Sequence, residues 1–222
     1  MHESRDLSSP GRNTIDELIA DLSPVRPIRP VDGMMLAVSM TMLASLGVAM
    51  TLGVRSDLIA GDVHRMFFVR AGLLLLVGLS AGYAAVASAR PKVGARRPRR
   101  WWLASIAIAL LLPLSALATL VRYGPVPISV FAPAVGAECL TVSGLCALIV
   151  GTAMTLWLRR GAPTSPVRAG WLVGLASGGL GAAAYSICCP FNSVVYVGTW
   201  YSLAVVLCAI VGRLAVPRLL RW

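Results

Sequence analysis

From Ala169 to Gly212 the chain runs without one charged side chain. A water-soluble domain must interrupt such a stretch with polar surface. At 1.5 Å per residue it is also too long for one crossing of a hydrocarbon core of about 30 Å. Pro190, Asn192 and Ser193 lie near its middle, where a turn is expected. The stretch therefore reads as two membrane helices, about Ala169–Ile187 and Val194–Val216, joined by a tight loop.

Four more uncharged windows lie upstream: Met34–Val54, Ala71–Ala89, Trp101–Val121 and Cys139–Leu158. Each has about 19 to 21 residues, enough to cross the core once as a helix. Composition agrees, with 57% hydrophobic and only 13% charged residues, where a soluble domain carries about a quarter charged. The expected fold is all-α, an integral membrane six-helix bundle over residues 32–222, preceded by a short N-terminal segment, residues 1–31. That segment is polar and proline-punctuated and offers no apolar signal region, so the first span is expected to act as its own insertion signal.

Basic residues set the orientation. The tail carries Arg5, Arg12, Arg26 and Arg29, and the second connection Arg90, Lys92, Arg96, Arg97, Arg99 and Arg100. Arg159, Arg160 and Arg168 fall in the fourth connection, and Arg213, Arg218 and Arg221 at the C-terminal end. Only Arg55, Arg65, Arg70 and Arg122 fall on the other side. Such a bias places both termini in the cytoplasm. Trp101, Trp102, Trp157, Trp171 and Trp222 sit at the same helix ends, where indole rings form interfacial belts, and Trp200 near the outer face. The net charge of +11 is then a device of topology, and no direct nucleic-acid binding is expected.

Gly170, Gly174 and Gly178 recur at four-residue spacing, continued by Ala182 and Ser186, a row that lets a neighbouring backbone approach closely. Pro113 is expected to kink the third span, and Arg70, at the outer edge of the second, to snorkel toward the interface. The two histidines, His2 and His64, lie outside the spans. No catalytic set, metal site, cofactor motif or buried acid emerges. A thiol-redox membrane enzyme and a small-molecule transporter are the rival readings, and neither finds its residues.

Of five cysteines, Cys139 and the adjacent Cys188 and Cys189 are placed at the outer ends of spans four and five. Outside the cytoplasm thiols can pair, so a Cys139–Cys189 bridge and simple packing as small apolar residues both stay open, with Cys188 an alternative partner. Cys146 and Cys208 lie deeper and read as packing residues.

The N-terminal stretch TIDELIADL has a different character. Ile15, Leu18, Ile19 and Leu22 form one apolar face of a helix, opposed by Asp16, Glu17 and Asp21. Thr14 and Glu17 have the form of a capping box, and Ser23-Pro24 ends the pattern. An acidic face suits a basic-rimmed protein groove better than an anionic leaflet. Pro24, Pro27 and Pro30 then define a polyproline spacer of roughly 25 Å at about 3.1 Å per residue.

Together the stretches TIDELIADLSPVRP, Glu138–Leu140, LRRGAP at Leu158–Pro163, Cys189-Pro190 followed by Trp200, and GRLAVPRLLRW resemble the NrsF-like family of bacterial membrane anti-sigma factors, negative regulators of sigma F. The resemblance runs from about Thr14 to Trp222. It implies a non-enzymatic regulator whose cytoplasmic segment holds an extracytoplasmic-function (ECF) sigma factor at the membrane. The residues that match this segment run from Ile15 to Leu22 and on through Pro24, Val25 and Arg26. It also implies that two periplasmic-side cysteines, matched by Cys139 and Cys189, sense envelope, oxidative or metal stress. The chain departs from the pattern at Cys188, an added thiol, and at Tyr201, where a histidine commonly follows the tryptophan.

Overall fold

The computed structural model describes residues 29–89, 100–124, 133–161, 163 and 165–220. All regular elements among them are helical: α1 Pro30–Leu52, α2 Ser56–Ala60, α3 Arg65–Ala87, α4 Arg100–Tyr123, α5 Pro133–Leu158, α6 Pro166–Tyr185 and α7 Val194–Leu219. Four of them, α1, α3, α5 over Gly136–Leu158 and α7, are long and apolar enough to cross a membrane. Six membrane spans were expected; among the described residues seven helices are found, and the helices at the expected spans Trp101–Val121 and Ala169–Ile187 are not among the four. The addition, α2, has five residues and fills the connection between α1 and α3, bounded by Gly53 and Gly61 with φ of +82° and +77°.

Local chemistry explains the boundaries. Pro30 stands at the start of α1, where its missing N–H costs nothing, with Asp32 in the first turn to complement the helix dipole. At the head of α3 the His64 side chain accepts a hydrogen bond from the Met66 N–H at 3.2 Å. Pro113 lies inside α4 without ending it. In α7 a π-helical stretch, Val197–Tyr201, interrupts the α geometry near its start.

The hub is α6. It packs on α7, α3, α5 and α1, and all its residues from Ala176 to Tyr185 are buried. A helix enclosed on every side must offer each neighbour a thin face. Toward α7, a methyl group on Gly170 would stand 2.6 Å from the Gly212 carbonyl oxygen, and one on Gly178 would stand 3.0 Å from Val205 Cα. Toward α3, Gly179 lies against Gly78, and toward α5, Gly181 lies against Ala147 and Ser143.

The outer helices invert the soluble pattern. In α1 only the stripe Gly33, Ala37, Thr41, Ala44 and Val48 is buried, while Met35, Met42, Leu43, Leu46 and Met50 face outward. Apolar residues on the outer surface are what a lipid solvent permits. Trp157, expected at an interface, is instead buried over Gly33 of α1.

Candidate functional site

One end of the bundle is built around residues 186–193, the connection from α6 to α7. It leaves α6 with the Cys188 and Cys189 N–H groups both donating to the Tyr185 carbonyl, at 3.0 and 3.3 Å. Its own carbonyls point toward two arginines from other elements. Arg70, on α3, donates through Nη1 to Phe191 O at 2.7 Å, and through Nη2 to Ser186 O at 3.0 Å and Cys189 O at 3.4 Å. Arg55, just before α2, donates through Nη1 to Cys189 O at 2.8 Å and to Asn192 Oδ1 at 3.2 Å. The Cys189 carbonyl is thus the shared acceptor of both guanidinium groups.

Arg70 corrects the sequence reading: it is 0% exposed, not turned to the interface. Burial of a guanidinium costs several kcal/mol unless acceptors replace its water. Three carbonyls do so, and the rings of Tyr201 at 5.3 Å and Phe67 at 5.8 Å face the cation. Phe67 also faces Arg55, at 5.7 Å. Arg55 closes a two-pronged pair with Asp57, its Nε donating to Oδ1 at 2.8 Å. Arg70 has no acidic partner among the described residues.

The thiols lie within and beneath this loop. Cys139 on α5 and Cys189 are 0% and 1% exposed and share one apolar cluster with Tyr185, Tyr196, Tyr201, Leu74 and Val77. The Tyr201 hydroxyl and Arg70 Nε are buried without a hydrogen-bond partner among the described residues. The π-helical stretch serves this site, setting Tyr201 against Arg70 and the Trp200 ring over Gly136 of α5.

All five cysteines are free thiols. Cys188 packs partly against the cluster, and burial, aided by Cys189, pushes its thiol up, so it is protonated at neutral pH. Cys146 belongs to the same cluster, and Cys208 faces Gly178 across the α6–α7 contact. Among the described residues no group of three His, Cys, Asp or Glu side chains could hold a metal ion. Outside the described residues lie Ile15, Asp16, Glu17, Leu18, Ile19, Asp21, Leu22, Pro24, Val25 and Arg26. The arginines, Phe67 and the tyrosines were not anticipated. The signals were a basic residue flanking a span with no acid near it, and the aromatic run from Phe191 to Tyr201.

The fold and this cluster define a helical bundle of membrane-crossing dimensions with buried thiols clustered at one end. Within that class the chain belongs to the family described as negative regulator of sigma F, which matches residues 18–222. A protein named anti-sigma-F factor NrsF from Caulobacter vibrioides (strain NA1000 / CB15N) is 34% identical over 182 residues, covering 77% of this chain and 79% of that protein. Another, named probable anti-sigma-F factor NrsF, from Azospira oryzae, is 29% identical over 181 residues, covering 81% and 83%. No solved structure matches the chain.

Proposed function

We propose that this protein is a non-enzymatic, six-pass anti-sigma factor of the bacterial inner membrane, with both termini in the cytoplasm. Residues 14–26 dock on an ECF sigma factor, deny it to RNA polymerase and keep it at the membrane. The thiols Cys139 and Cys189 respond to envelope, oxidative or metal stress on the outer side, and their change of state releases the partner. The observation that carries the sigma-factor reading is that both relatives, matched over about four fifths of their lengths, are named anti-sigma-F factors. The helical period of Ile15, Leu18, Ile19 and Leu22 supports the choice of segment. The burial of Cys139 and Cys189 in one cluster, which also takes in Cys146, supports the choice of sensor.

The test is co-purification of the full-length membrane protein with candidate sigma factors. Leu18→Asp and Leu22→Asp each place a charge on the docking face and should lose the partner. Retention by both variants at the original level removes the segment from the mechanism. In cells, Cys139→Ser or Cys189→Ser should change release under thiol stress, and an unchanged response from both removes the thiols.

A further inference from the structure

We propose that Arg70, assisted by Arg55, is a positioning residue of the thiol site: it holds Cys189 in the cluster shared with Cys139 by gripping the backbone on either side of it. The inference deepens the thiol-sensing reading and rests on it for its biological meaning, though its geometry stands alone. Cys139 is fixed by its place on a packed helix. Cys189 lies instead in the irregular connection between α6 and α7, where its N–H donates to the Tyr185 carbonyl at 3.3 Å. The rest of the connection is held by its carbonyls at Ser186, Cys189 and Phe191, all three taken by the one guanidinium of Arg70. A planar fork can satisfy acceptors in several directions at once, which a lysine ammonium on a flexible stem does less well.

The two thiols are thereby referred to a common frame. Arg70 stands on α3, and α3 and α5 both pack on α6 through contacts too close for a side chain, at Gly179 and Gly181. Arg55 adds the connection after α1, through the same Cys189 carbonyl and through its own N–H to Ile187 O at 3.4 Å. The arrangement is also one-sided. A cation buried among carbonyls and rings, with no carboxylate beside it among the described residues, is held in place by that loop conformation and holds it in return.

The probe is phenylarsine oxide on the full chain in membranes, in a background carrying Cys146→Ala, Cys188→Ala and Cys208→Ala. Two As–S bonds form, and the arsenic-bound oxygen leaves as water with both thiol protons, without electron transfer. Intact mass read over time gives the bridging rate, and a monofunctional maleimide gives the reactivity of each thiol alone. Arg70→Met should slow bridging at least about 10-fold, the scale of loss when reacting groups are no longer held in place. Maleimide labelling of Cys189 should stay the same or rise. Arg70→Lys should recover part of the bridging rate, a rescue that general loss of structure would not give. Bridging by Arg70→Met at the background rate overturns the inference. Should that variant fail to accumulate, Arg70→Lys and Arg55→Gln decide: slower bridging in both supports the clamp, and background rates in both overturn it. Failure of the background chain itself to bridge removes the thiol pair and the clamp together. Slowed bridging in Arg70→Met, with stress release indifferent to Cys139→Ser and Cys189→Ser, retains the clamp and overturns only the sensing role.

Discussion

A hydroxyl buried without a partner costs about 1–3 kcal/mol, and Tyr201 carries one. Tyr201→Phe removes that group and keeps the ring that faces Arg70 at 5.3 Å and packs on Tyr185 and Tyr196. We predict that the variant raises the thermal midpoint of the detergent-solubilised protein by about 2–4 °C. A lower midpoint would show that the hydroxyl is satisfied after all. Asp57 makes the opposite kind of contribution. The Arg55 guanidinium hydrogen-bonded to it holds its carboxyl below the ordinary value of 3.8. A carboxyl depressed in the folded state stabilises fully above the ordinary value, and that contribution is lost as pH falls through the depressed one. Asp57→Asn should therefore flatten the midpoint against pH below about 4 and leave its neutral slope unchanged. Neither feature was open to sequence reasoning. Arg70 borders an uncharged window, and a residue there looks bound for the interface until the carbonyls of a loop more than a hundred residues away are known to need it.

At the scale of helices, the uncharged windows located the long elements well and their ends less well. Charges were taken as helix boundaries, yet α3 begins at Arg65 and contains Arg70, and α5 begins at Pro133 and contains Glu138. A helix can extend past a charge wherever the side chain finds internal acceptors, as Arg70 does, or stays exposed, as Glu138 does. The π-helical turn at Val197–Tyr201 left no sequence signal, because it follows from fitting Trp200 over Gly136 and Tyr201 beside Arg70. Glycines show how far pattern alone reaches, since their spacing cannot say which are crowded. Gly174 lies against Cys208 and Ala209, and a methyl group there would stand 2.7 Å from Ala209 Cα. Gly144 on α5 has open space around it. We predict opposite signs for the same substitution. Gly174→Ala should destabilise by about 1–3 kcal/mol or more, as overpacking against rigid backbone does. Gly144→Ala should stabilise by about 0.5–1 kcal/mol, the usual gain inside a helix. Thermal midpoints of the two variants, measured side by side in one detergent, check both, and equal effects would refute the close α6–α7 contact.

For the molecule as a whole, the described bundle and the docking segment proposed ahead of it occupy different stretches of the chain. The helices are held by α6, whose contacts with α1, α3, α5 and α7 involve only residues from Pro30 onward. The docking face proposed for Ile15 to Leu22 lies wholly before that point, with the prolines at 24, 27 and 30 between them. Removal of residues 1–28 should then leave the thermal midpoint of the bundle within about 2 °C of the intact protein, and it should abolish recovery of the sigma factor. The same division fixes how orientation is tested. Sixteen of the 20 Lys and Arg residues fall on the face expected to be cytoplasmic, so a reporter that works only outside the cytoplasm should be silent at the N-terminus and active when inserted after Asn192. An active N-terminal fusion would put the docking segment where no sigma factor exists, and the regulatory reading would fall with it. A silent fusion, combined with a truncated chain that still captures its partner, would move the docking surface onto the helix ends expected to face the cytoplasm, where Arg213 faces Trp171 at 5.4 Å.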